Sequence, residues 1–144
     1  MRQGAGLKEI EIRILNRQED MPRAVSMISR FVAENGLAPA MLHDLNVVID
    51  EALSNIISYG YETDAEGEIT IQLEHRQDEI VVQIEDRGRT FDPLQTVSPD
   101  LNATLRTRKV GGLGVHFMRS LMDNASYKRI NGKNRLVLTK KIAP

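Results

Sequence analysis

The pattern of apolar residues predicts an α+β chain, with a mixed or mostly antiparallel sheet and helices packed on one of its faces. Three observations carry this. Several short segments alternate apolar and polar residues, as half-buried strands do. Residues 39–58 instead repeat apolar residues at helical spacing. The segments run strand, helix, helix, strand, strand, long loop, helix, strand, strand. A doubly wound parallel sheet would alternate strand and helix regularly.

Residues 8–16 place Ile10, Ile12 and Ile14 on one face, with Glu9, Glu11 and Arg13 between them. This predicts the first strand, fraying at Lys8. Residues 19–34 carry Met21, Val25, Ile28 and Val32 at helical spacing, and Pro22 is tolerated in a first turn. Asn35-Gly36 supplies the stop. The second helix, over residues 39–58, has Leu45, Val48, Ile49, Ala52, Leu53, Ile56 and Ile57 on one stripe, and Gly60 ends it. Residues 68–76 and 79–85 predict a hairpin around Gln77-Asp78, with Ile69, Ile71 and Leu73 on one face of its first strand and Ile80, Val82 and Ile84 on one face of its second. Periodicity is then lost for more than twenty residues, from Arg87 to about Val110, with Pro93 and Pro99 inside the stretch. A loop of that length in a compact domain is commonly a lid or a binding loop, here about 89–111. Residues 112–122 predict a third helix, and residues 125–130 and 134–141 two closing strands around Asn131-Gly132.

The 144 residues suit one domain, residues 1–144, with its own core. Hydrophobic residues make up 41% and charged residues 27%, an ordinary globular balance. Net charge is −1 without a basic block, so direct nucleic-acid binding is not expected. The absence of cysteine removes disulfides and thiolate metal sites. The N-terminus leads into a charged strand; neither a signal peptide nor a membrane span is expected, and the cytoplasm is the default location.

Three segments hold candidate chemistry. Glu51 and Asn55 lie one helical turn apart at the edge of the apolar stripe, with Asp44 on the same line. A carboxylate there can take a proton from an attacking hydroxyl, and an amide oxygen suits Mg²⁺. Polar residues flanking a core helix would have the same spacing. Asp86 ends an apolar strand, with Gly88 two residues on. The carboxylate can accept a hydrogen bond from an exocyclic amino group, and a glycine lets a ring approach the backbone. An ordinary Asp-x-Gly turn looks alike. Gly111-Gly112-Leu113-Gly114 opens a helix, where free N–H groups and the helix dipole favour phosphate. The alternative is a purely conformational role. It is not a P-loop, since the Gly-Lys-Ser/Thr ending is missing. Arg106, Arg108 and Lys109 precede it, either neutralising phosphate or simply solvated.

Taken in order, these segments resemble the three boxes of the GHKL superfamily of ATPases and kinases, and among them the stand-alone anti-sigma-factor serine kinases. The likeness rests on Asp50-Glu51-Ala52-Leu53-Ser54-Asn55 with Tyr59-Gly60-Tyr61, on Asp86-Arg87-Gly88 with Phe91-Asp92-Pro93, and on Gly111-Gly112-Leu113-Gly114 leading into Met118-Arg119-Ser120-Leu121-Met122-Asp123. It implies a two-layer α/β sandwich of the Bergerat type, with ATP between helices and sheet. It implies Glu51 as catalytic base, Asn55 as Mg²⁺ ligand, Asp86 on the adenine amino group, and Gly88 beside the ring. The phosphate turn falls on Gly111, Gly112, Leu113 and Gly114, flanked by Arg108 and Lys109. The implied activity is transfer of the ATP γ-phosphoryl group to a serine of an anti-anti-sigma antagonist, in a switch that also sequesters a sigma factor; a homodimer is compatible. Thr90 stands where many members carry a second glycine, Tyr59 replaces a frequent histidine, and Asn134 sits about where a threonine often helps near the adenine pocket. The phosphoacceptor hairpin of a sensor histidine kinase is not expected. The rival function is an ATP-binding regulator that sequesters its partner without phosphorylating it. Retention of Glu51 favours the enzyme.

Overall fold

The computed structural model describes residues 8–61, 65–95 and 118–142. Strand β1 (Glu9–Leu15) leads through a 3-10 turn (Gln18–Asp20) into helix α1 (Met21–Glu34), followed by α2 (Pro39–Tyr59), β2 (Glu68–Arg76) and β3 (Glu79–Asp86). A second 3-10 turn (Pro93–Gln95) follows, then a helical segment at residues 118–121, β4 (Asn124–Ile130) and β5 (Lys133–Lys141). The strands form one sheet in the order β1-β2-β3-β5-β4. Every strand pairing among the described residues is antiparallel. The β4/β5 hairpin adds to the β3 edge through its second strand, so β5 lies inside the sheet and β4 on its rim.

Local sequence sets the ends of these elements. Helix α1 begins at Met21, two residues later than its apolar spacing suggests, because the Asp20 carboxylate accepts the Leu15 N–H at 2.8 Å and closes a tight turn first. It stops in a Schellman motif: Gly36 has φ +65°, its N–H donates to Ala33 O, and the Leu37 N–H reaches back to Val32 O. Pro39 then starts α2 in the first turn, where its missing N–H costs nothing. At the β4/β5 turn, Asn131 and Gly132 take φ 51° and 77°, the left-handed pair that a two-residue hairpin needs.

The core lies between the sheet and the two helices. Ile12, Ile71, Ile84 and Leu136 are register partners across β1, β2, β3 and β5, forming one buried row. Leu73, Val82 and Leu138 form a second. Against these pack Ala24, Ile28, Phe31 and Val32 of α1 and Leu45, Val48, Ile49, Ala52 and Leu53 of α2. The row on the other side of Ile12 begins with Ile14 and Ile69 and continues with Asp86 and Asn134. The helix-facing surface of the sheet therefore turns polar beside the C-terminal half of α2.

The expected boundaries of β2 coincide with those observed, and the remaining described elements differ by one or two residues. The third predicted helix is described only over 118–121; its start at Gly112, and the lid expected over about 89–111 beyond Gln95, lie outside the described residues.

Candidate functional site

Strand parity explains why a carboxylate is buried here. Ile80, Val82, Ile84 and Asp86 are alternate residues of β3, so Asp86 continues the inward series into the core and is 5% exposed. Asn134, Leu136 and Leu138 are the corresponding series of β5, and Asn134 is 6% exposed. Directly paired residues of an antiparallel ladder carry side chains within reach of one another. Asn134 Nδ2 accordingly donates to Asp86 Oδ1 at 3.1 Å, and the Gly88 N–H donates to the same oxygen at 2.8 Å. No described residue donates to Oδ2. Burial raises the Asp86 pKa, opposed by the hydrogen bonds from Asn134 and Gly88 and by the charge of Arg129.

A close joint between two glycines holds the loop after Asp86. The Arg89 N–H donates to Gly60 O at 2.7 Å, tying the loop to the end of α2. A Cβ on Gly88 would lie 2.3 Å from that Gly60 carbonyl, and a Cβ on Gly60 would meet Ile56 O at 2.7 Å. Glycine is therefore required at Gly88 by backbone packing, whatever stands beside it in the pocket. Arg129 donates to Gly88 O at 2.8 Å from β4, and Tyr61 Oη accepts the Arg87 N–H at 3.1 Å.

The cavity beside Asp86 measures about 30 Å³ and is walled by Ala52, Ile56, Ile84, Phe91, Pro93 and Leu136, with Asn55, Tyr127 and Asn134 as its other polar members. That is room for water but not for a purine, so a ring enters only as the walls part. Phe91 and Pro93, on the segment after β3, are the part of the wall outside the sheet and the two long helices. The lining fits an aminopurine: apolar faces, and one carboxylate with an uncommitted accepting oxygen.

Asn55 is 6% exposed, deeper than a helix-edge position suggests, and its Nδ2 is buried without a hydrogen-bond partner. That amino group only donates, so what it lacks is an acceptor oxygen, of water or of a ligand. Glu51, one turn earlier on α2, is half-buried and lies outside this lining, with no hydrogen bond or ion pair to any described residue. Burial, and then the neighbouring Asp50 charge, raise its pKa. Asp44, on the same line of α2, pairs instead with Lys140 at 3.2 Å. No group of three or more His, Cys, Asp or Glu side chains among the described residues could hold a metal.

The structure thus brings Asn55, Asp86 and Gly88 together and leaves Glu51 one turn away. Gly111, Gly112, Leu113, Gly114, Arg106, Arg108 and Lys109 lie outside the described residues. Two polar members of the pocket lie outside the three sequence motifs: Asn134, about where a threonine stands in many family members, and Tyr127. The signal was available in part: a polar residue that continues an inward-facing apolar series is the exception that needs a reason. No helix of the described residues is long and apolar enough to cross a membrane.

Known proteins resemble this chain in sequence and in fold. The chain is 37% identical over 100 residues to the serine/threonine-protein kinase BtrW of Bordetella bronchiseptica, covering 69% of this chain and 70% of that protein. It is 27% identical over 119 residues to the serine-protein kinase RsbW of Listeria monocytogenes, covering 80% and 75%. It is 26% identical over 140 residues to the anti-sigma F factor of Clostridium beijerinckii, covering 92% and 93%. Among solved structures, the RsbU and RsbW domains of Rv1364c from Mycobacterium tuberculosis share the fold, with a TM-score of 0.69 at 17% identity; the match covers 94% of this chain and 32% of that one. The model of the histidine kinase-like ATPase domain matches residues 14–140. With the buried Asp86, the Gly60–Gly88 joint and the α2 face all inside that span, the chain belongs to the histidine kinase-like ATPase domain family.

Proposed function

We propose that this protein is an anti-sigma serine/threonine protein kinase, which uses ATP to phosphorylate a serine of an anti-anti-sigma antagonist and sequesters a sigma factor in the same partner switch. The observation that carries the nucleotide site is Asp86, a buried carboxylate with one oxygen occupied and one uncommitted, in an apolar cleft. The relatives named as serine kinases and as an anti-sigma factor support the reaction and the partners.

In this reading Asp86 accepts a hydrogen bond from the adenine amino group, with Gly88 at the edge of the base. Asn55 would hold Mg²⁺ through its side-chain oxygen, and the ion would supply charge neutralisation on the phosphates. The phosphate contacts are assigned, on the family resemblance alone, to Gly111, Gly112, Leu113 and Gly114 with Arg108 and Lys109. Glu51 takes the proton of the attacking serine as the serine oxygen bonds to the γ-phosphorus and ADP leaves with the bridging oxygen. Its raised pKa makes the ionised carboxylate a better proton acceptor. In this reading the protein works in the cytoplasm, where sigma factors act, as a monomer or a homodimer.

The test is to incubate the protein with γ-labelled ATP and an anti-anti-sigma protein of the same organism. Label on a serine of the antagonist, lost with Glu51→Ala, is the expected result. ATP binding and sigma-factor capture without any transfer would overturn the kinase and leave a non-catalytic regulator.

A further inference from the structure

Strand β1 is an edge of the sheet, and its free side is only half closed. Two backbone bonds fix which groups face outward. The His75 N–H donates to Lys8 O at 2.7 Å and the Asn16 N–H to Gly67 O at 2.9 Å, so Lys8 and Asn16 turn toward β2. Ile10, Ile12 and Ile14 lie between them at alternate positions, opposite Leu73, Ile71 and Ile69, and turn the same way. Glu9, Glu11, Arg13 and Leu15 therefore point N–H and C=O away from the sheet.

The C-terminal end of that outward row is sealed. The Leu15 N–H donates to Asp20 Oδ2 at 2.8 Å, and Leu15 O accepts the Arg17 N–H at 2.8 Å. Arg13 O accepts a hydrogen bond from Arg23 Nη2 of α1 at 2.5 Å. The other end is open. No described residue meets the N–H and C=O of Glu9 and Glu11, or the N–H of Arg13. Unpaired groups along a strand edge are a template for another strand. A hollow of about 280 Å³ lies at this end, lined by Glu9, Ile10, Glu11, Gln72, Leu73 and Glu74.

Charge decides what fits there. Glu9 and Glu74 are direct cross-strand partners, a like-charge pair that weakens the ladder. Glu74 is relieved by Arg76 at 2.6 Å, and Glu11 by Arg13 at 2.7 Å. Glu9 has no ion pair with any described residue. An incoming strand sets one residue opposite Glu9 and another opposite Glu11, both on the charged face, and the residue between them on the face of Ile10. Lysine or arginine suits the first two places and an apolar residue the third. A second copy of this chain fits badly. Antiparallel self-pairing across Ile10 or Glu11 sets glutamate against glutamate, and across Ile12 it needs the Arg13 carbonyl that Arg23 already holds.

We propose that the open half of β1 is a docking edge for an extended segment of a partner protein in which basic and apolar residues alternate. The segment adds a strand beside β1, and its basic side chains lie against Glu9 and Glu11. The inference stands apart from the nucleotide site, since none of these residues lines the cavity beside Asp86.

The probe is an acetylated and amidated peptide, Val-Lys-Val-Lys-Val, titrated into the full chain and followed by amide NMR. It is expected to slow hydrogen exchange at Glu9, Glu11 and Arg13. Val-Glu-Val-Glu-Val should bind roughly tenfold more weakly, because opposite-charge pairs become like-charge pairs. The basic peptide with methylated backbone nitrogens should lose at least about tenfold, since it cannot complete the ladder. Glu11→Pro removes an outward N–H and leaves every backbone bond between β1 and β2 in place, an orientation in which an edge strand tolerates proline. It should weaken the basic peptide by roughly tenfold and leave ATP affinity unchanged, whereas Glu11→Gln keeps the N–H and should lose only about threefold. Failure of the basic peptide to bind overturns the proposal. So does equal binding of the acidic peptide, which removes the charge argument, or of the methylated one, which removes the strand pairing. If Glu11→Pro does not fold, the methylated peptide decides on the parent chain. Glu9 and Glu11 amides already protected in the free chain would mean that the chain itself covers this edge, or a second copy where protection rises with protein concentration; either result overturns the partner.

Discussion

Two neighbouring rows of the sheet face the same helices and do different work. Ile12, Ile71, Ile84 and Leu136 form a row of hydrocarbon. Two residues along, Ile14 and Ile69 are followed by Asp86 and Asn134. The first row gains from burial in proportion to its apolar area. The second puts a carboxylate where burial disfavours its charge, and offsets that with the Asn134 and Gly88 hydrogen bonds. The difference shows how a site is made inside a regular sheet. Parity carries the polar pair inward, and the bonds across β3, β5 and the following loop hold it there. The apolar row then supplies stability, and the polar row supplies recognition.

Breaking the apolar row should produce the largest change and leave recognition alone. Ile71 is fully buried and outside the cavity lining. Ile71→Ala should cost about 2–5 kcal/mol of stability through lost burial and the cavity left behind. ATP affinity should not move. Denaturant unfolding and ATP titration on the same variant check both halves; a changed affinity would mean that the rows are coupled.

Glu51 sharpens the comparison from the helix side, because it stands outside both rows. Glu51→Ala should slow phosphoryl transfer by roughly a hundredfold or more, as loss of a general base does. ATP affinity should stay near the parent value, since no positive partner of the phosphates is removed. Transfer at the parent rate would show that the base lies elsewhere.

Gly88→Ala tests the joint that holds the loop against α2. The added methyl would meet the Gly60 carbonyl at 2.3 Å, and backbone cannot swing aside like a side-chain tip. A loss of about 1–3 kcal/mol, typical of overpacking, should appear in thermal unfolding. An unchanged melting temperature would show that the joint opens freely.

The smallest effect is a pH trend. The folded Asp86 has a pKa raised above its ordinary 3.8, so between that value and the raised one the folded state binds more protons than the unfolded state. Its contribution is therefore most favourable below 3.8 and is lost as pH rises through the folded pKa. Asp86→Asn removes this term and should also weaken ATP binding. The melting temperature of Asp86→Asn relative to the parent should rise with pH over that window. A flat difference would mean that the carboxylate titrates as if exposed.

Much of this molecule follows from patterns spaced a few residues apart. Period two marks the strands, the stripe from Leu45 to Ile57 marks α2, and Asn35-Gly36 stops α1 because a left-handed residue closes a Schellman motif there. The motifs around Glu51, Asn55, Asp86 and Gly88 were readable for the same reason, since residue type and spacing suffice to suggest a carboxylate at a strand end or an amide on a helix face. Which strands become neighbours is not encoded at that range. The placement of β5 between β3 and β4 decides that Asn134 faces Asp86, although 48 residues separate them. The approach of α2 to the loop decides that Gly60 needs Gly88 to be bare. Helix and strand periods are set by the geometry of one segment of backbone. Register and backbone contact are set by which segments bury their apolar faces together, and only the folded sheet settles that.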